Sequence, residues 1–148
     1  MTSTPATSGR IVVGIDGSES SAEALRWAVA QARLTGAEVT AVMSWELPTS
    51  YAWGPVMDAT DWEGDTRTAL EESITGTLDA DDAAKVQRSV VRGHPAHTLL
   101  DASAGADLLV VGSRGHGGFA GLLLGSVSQH VIAHASCPVL VVHGPNPS

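Results

Sequence analysis

Apolar positions in this chain fall into two patterns that alternate. Short runs in which neighbouring residues are both apolar read as strands covered on two faces, as in a parallel sheet. Arg10 to Ile15 (RIVVGI), Glu38 to Trp45 (EVTAVMSW), Val86 to Val91, Asp107 to Val111 (DLLVV) and Pro138 to Val142 (PVLVV) are five such runs. Between them lie stretches with helical spacing. Ala24, Leu25, Ala28, Val29 and Ala32 form a stripe of period 3.6, with turn and cap residues Asp16, Gly17 and Ser18 before it and Gly36 placed to stop it. Thr60 to Leu78 is a polar helix, Ala96 to Ala104 a short one ended by Gly105, and Ser126 to Ala135 the last. Asp79 to Asp82 reads as a solvated acidic turn. Leu47 to Met57, with Pro48, Gly54 and Pro55, reads as a loop whose Tyr51, Trp53 and Met57 pack on the domain or form a lid.

Strands alternating with helices make βα units, and right-handed crossovers make the sheet parallel with helices on both faces. The expectation is one doubly wound α/β domain over residues 10–144, with five strands and no internal repeat. Met1 to Gly9 is Thr/Ser-rich without an apolar run and is expected to be a disordered tail, not a signal peptide. Composition narrows the partners. The net charge is −8 and no Lys/Arg run occurs, which argues against nucleic acid or an anionic membrane surface. No apolar stretch reaches the ~18 residues of a membrane span, so a cytoplasmic location is expected. Cys137, the single cysteine, reads as a small buried hydrophobe.

In open α/β sheets ligands bind beyond the C-terminal strand ends. Two segments there carry suitable residues. In Gly14-Ile15-Asp16-Gly17-Ser18, a carboxylate at a strand end can accept ribose hydroxyls, or simply cap the helix. The other segment, Gly112 to Ser128, follows the most apolar strand and ends at a helix start. Gly112 and Gly115 remove Cβ atoms that would hold a polyphosphate off the backbone. Gly125 turns the chain so that the amides of Ser126, Val127 and Ser128 point outward as an anion site needing no basic side chain. The hydroxyls of Ser113, Ser126 and Ser128 add donors. A Walker loop is excluded, because no lysine precedes Ser126. The Gly115-x-Gly117-x-x-Ala120 string lies mid-loop after the fourth strand, where a dinucleotide fingerprint would not be.

Gly112-x2-Gly115-x9-Gly125-Ser126 resembles the ATP-binding signature of the universal stress protein family. The likeness extends through IVVGIDGS, VVRGHPAHTLLDAS, DLLVVGSRGHGG and LLLGSVSQHVIAHASCPVLVV. It implies the strand order 3-2-1-4-5, an ATP-binding stress-response regulator, and a homodimer joined through the last strand, Val139, Leu140, Val141 and Val142. It also implies that Asp16 meets ribose or phosphates, Gly14 and Ile15 line the adenine side, and Ser44 lies near the adenine. Gly112, Ser113, Arg114, Gly115, His116 and Gly117 would cradle ribose and phosphates, with Gly125, Ser126, Val127 and Ser128 on the phosphate tail. Any Mg²⁺ would be held mainly by phosphate oxygens, with help from Asp16. Two departures stand out. Leu122 occupies a position that is basic in many ATP-binding relatives, and Ser44 replaces a small apolar residue. Losing one charged hydrogen bond weakens binding roughly tenfold to a hundredfold.

The histidines at 94, 97, 116, 130, 134 and 143 lack metal-ligand spacing, apart from the i, i+4 pair His130 and His134, and read as exposed or core-edge imidazoles. Catalysis would require a base or water-positioning group near the γ-phosphate. The sequence offers no catalytic set, so any ATPase is expected to be slow. The rival readings are a nucleotide-independent dimerising adaptor and a nucleotide-dependent transferase.

Overall fold

The computed structural model describes residues 9–47, 61–114 and 124–144. The expected loop aromatics, most of the N-terminal tail, and Gly115, His116, Gly117 and Leu122 lie outside them. The elements follow the sequence pattern closely: β1 (Arg10–Gly14), α1 (Glu19–Thr35), β2 (Glu38–Trp45), α2 (Trp62–Thr77), α3 (Ala80–Lys85), β3 (Val86–Arg92), α4 (Pro95–Ser103), β4 (Leu108–Gly112), α5 (Ser126–His134) and β5 (Val139–Val142). All strand pairs are parallel and the order is β3-β2-β1-β4-β5, as expected for a doubly wound sheet.

Local chemistry accounts for the helix ends. The Ser18 side chain accepts from the Ser21 amide at the start of α1, and Gly36 closes that helix at φ 76°, a left-handed cap that favours glycine. The strands send alternate side chains into two cores. Val13, Val110, Met43 and Ile11 pack with Leu25, Ala28, Leu70 and Ile74 under α1 and α2. Val12, Val42, Leu109 and Val111 pack with Leu99 and Val131 under α4 and α5.

One expectation is corrected. Asp79 to Asp82 is no solvated turn: Asp79 caps α3 by accepting from the Asp82 amide at 2.9 Å. Asp82 is only 8% exposed and forms an ion pair with Arg33 of α1.

At the N-terminal end of the sheet, Arg10 ties β1 to the approach to β4. Its amide donates to Asp107 Oδ2 at 2.7 Å, and its guanidinium donates to the Ala102 and Ala104 carbonyls at 2.8 and 2.9 Å. The Asp107 amide returns a bond to the Arg10 carbonyl at 2.9 Å. No helix among the described residues is long and apolar enough to cross a membrane.

Candidate functional site

The central pair β1 and β4 brings the two sequence-predicted segments side by side. Because β1 pairs with β2 on one side and β4 on the other, the topological switch point lies at its C-terminal end. There Asp16 is exposed, and its Oδ1 accepts from the Ser18 amide at 2.9 Å and the Ser18 hydroxyl at 2.5 Å. Gly14 faces the α4 side, where a Cβ would come 2.8 Å from Leu99 Cδ1. Ile15 points the other way into the α1-side core and is 5% exposed. Ser44, beside Val91 of β3, is half-buried two residues beyond Val42, whose carbonyl accepts from the Ile15 amide at 2.9 Å.

The glycine segment has a closed neck. Ser113 is buried; its amide donates to the Val142 carbonyl at 2.8 Å, and its carbonyl accepts from the Gly125 amide at 2.6 Å. The Ser128 hydroxyl donates to the Gly112 carbonyl at 2.6 Å. That bond commits the hydroxyl proton that the sequence reading expects as a ligand donor, so the donor Ser128 retains is its amide. Helix α5 starts from Gly125 with no side-chain cap, and among the described residues the first-turn amides of Ser126, Val127 and Ser128 have no capping acceptor. Amides so placed, together with the helix dipole, make this end attractive to an anion. Arg114 is exposed at the other side of the neck.

Ser20 and Ser21 belong to this site, although the sequence shows them only as part of a cap-rich Ser-Glu-Ser-Ser run. Both are buried. The Ser20 hydroxyl donates to the Arg114 carbonyl at 2.7 Å, and Ser21 Oγ accepts from the Asp16 amide at 3.3 Å. They fasten the Asp16 turn to the exit of β4. Beside that turn, a cleft of about 250 Å³ opens between α1 and α2, with Ile15, Ser18, Leu25, Glu72 and Ser73 among its walls.

The histidines gather elsewhere. His94 and His97 at the start of α4 and His130 and His134 of α5 form a row with successive ring centroids 5.3, 5.5 and 4.6 Å apart. Among the described residues, no group of three or more His, Cys, Asp or Glu is arranged to hold a metal ion.

Comparison with known proteins agrees with this architecture. Residues 7–143 match the model of the universal stress protein family. A universal stress protein of Mycolicibacterium smegmatis is 38% identical over 136 residues, which are 89% of this chain and 45% of that protein. The chain thus spans about half the length of the curated relatives it matches. A universal stress protein solved in complex with cAMP is 30% identical, with a TM-score of 0.62 over 91% of this chain and 96% of that one. The Archaeoglobus fulgidus protein solved with dAMP shares the fold at 23% identity, with a TM-score of 0.62 over 90% and 97% of the two chains. By sequence and by fold, the chain belongs to the universal stress protein family.

Proposed function

We propose that this chain binds an adenine nucleotide, ATP foremost, at the C-terminal ends of β1 and β4 and acts as a nucleotide-dependent regulator. The observation that carries the reading is the start of α5, which has no side-chain cap and is held by the Ser113–Gly125 and Gly112–Ser128 bonds beside Asp16's turn. Such an end suits a phosphate tail without a lysine. The relative solved with cAMP is an adenine-nucleotide complex of a protein 30% identical to this chain, which supports the same ligand class here. In this reading Asp16 meets ribose or phosphates, and Arg114, Gly115, His116 and Gly117 flank them. Gly14, Ile15 and Ser44 border the base. Magnesium would ride on the phosphate oxygens, with Asp16 as its protein partner. The protein works in the cytoplasm as a homodimer paired along β5.

Equilibrium dialysis of the full chain with ATP and Mg²⁺ tests the reading. Saturable binding by millimolar nucleotide is expected, together with a rise in melting temperature as ATP increases. No saturable binding, or binding unchanged in Asp16→Ala combined with Gly125→Val, overturns it. The rival adaptor reading draws on Leu122, which brings no charge to the phosphates. Native mass spectrometry separates the two: an adaptor is a nucleotide-free dimer whose mass ATP does not change.

A further inference from the structure

Ser20 stands where three segments meet. It is the second residue of α1, a position whose side chain ordinarily faces water, yet it is 6% exposed. Its hydroxyl donates to the Arg114 carbonyl at 2.7 Å and lies 3.4 Å from the Arg114 amide, which donates back to it. Ser18 Oγ is 3.4 Å away. The chain leaving β4 passes so close that a Cβ on Gly112 would sit 2.7 Å from the Ser20 carbonyl carbon. The chain leaving β5 comes nearly as near, since a Cβ on Gly144 would lie 3.1 Å from the Ser20 Cα. A hydroxyl buried in this way, and bonded to both the amide and the carbonyl of a residue 94 positions away, makes a tertiary clamp and not a helix cap.

We infer that Ser20 is the positioning residue of the neck made by Ser113, Arg114 and Gly125. By holding both the amide and the carbonyl of Arg114, it fixes the direction in which the chain departs β4. The distance between that departure point and the start of α5 is then set by the Ser113–Gly125 bond. With the hydroxyl removed, Arg114 loses its short bond to α1, and the Ser18 hydroxyl, 3.4 Å from the Arg114 carbonyl, has its one proton on Asp16 Oδ1 at 2.5 Å. The neck then loosens on one side. The clamp is a property of the ligand-free chain; its effect on a ligand rests on the nucleotide reading above.

Two measurements on Ser20→Ala test this, with Ser103→Ala as the comparison. Ser103 is also a buried serine, its hydroxyl donating to the Leu100 carbonyl at 3.2 Å within α4. In calorimetric titrations, Ser20→Ala should weaken ATP about tenfold, the worth of one charge-assisted hydrogen bond to a misplaced loop. Adenosine, which lacks phosphates, should weaken by less than about twofold, and Ser103→Ala should move neither. In ligand-free protein followed by NMR, the amides of Arg114 and Gly125 should exchange about tenfold faster in Ser20→Ala, with Val12 and Val110 unchanged. Equal losses for ATP and adenosine, or unaltered exchange at Arg114, overturn the inference. Wild-type protein that binds no ATP overturns the nucleotide reading instead, and the exchange rates alone then decide whether Ser20 clamps the neck.

Discussion

Gly112 shows how much of this site is decided by single atoms. The space a side chain would need there is filled by the backbone of Ser20 and Ser21, at 2.7 and 2.8 Å from an added Cβ. A backbone cannot rotate aside as a side-chain tip does. Gly112→Ala should therefore destabilise the protein by about 1–3 kcal/mol, the usual cost of forced overpacking, seen as a lower urea midpoint. This glycine makes room for a helix end, a role that its sequence context does not announce. Ser126 offers a cleaner test of the ligand. It is the first residue of α5, and Gly125 before it has φ −74° and ψ 167°, a conformation that tolerates a following proline. Ser126→Pro should leave the melting temperature within a few degrees and weaken ATP about tenfold, because one amide donor has gone. Asp82 and Ser20 were illegible in the sequence for one reason. Each is made structural by a partner far along the chain, Arg33 for one and Arg114 for the other, and no local pattern announces that pairing.

Whole elements were far easier to read. Every strand and nearly every helix boundary follows from apolar runs, cap residues and glycines, because the sheet is covered on both faces and the two periodicities do not mix. The short α3 is the exception, since its six residues carry too few apolar positions to signal a helix. The packing of α4 on α5 produces something else the sequence only half displayed. The i, i+4 pair His130 and His134 was visible, while the approach of His94 and His97 depends on how the two helices meet. Among the elements packed on α5, α4 presents His94 and His97, and β5 has no ionisable residue. His130 is exposed on α5; the slight loss of water to its neighbours, and then the charges of His134, His97 and His94, hold its pKa below the ordinary 6.5. The unfolded chain consequently takes up this proton at a higher pH than the folded one. Stability falls as pH drops through a window that opens near 6.5 and closes at the folded value. Thermal melts from about pH 8 to about pH 5 should show this decline in the wild type and a flatter profile in His130→Gln.

At the scale of the molecule, β5 is an outer strand of the sheet. Leu109 and Ser113 donate to the Pro138 and Val142 carbonyls, so the alternation of a parallel ladder turns the polar groups of Val139 and Val141 away from β4. These are the groups a second copy would engage in the proposed homodimer. Val141→Pro removes an outward amide that the fold itself does not use. Analytical ultracentrifugation should find a dimer for the wild type and a folded monomer for Val141→Pro. The proposed dimer comes from family resemblance alone, since an edge strand says that something can pair and not what.

The two ends of the sheet are fastened by different kinds of bond. Arg10 and Asp107 bolt the N-terminal end with a charged side chain on each side of the β1–β4 seam. At the opposite end the link from the β1 side is the neutral Ser20 hydroxyl on the Arg114 carbonyl, and bonds to charged groups are about twice as strong as neutral ones. Local opening should therefore cost less at the serine end than at the arginine end, and amides there should exchange with solvent sooner.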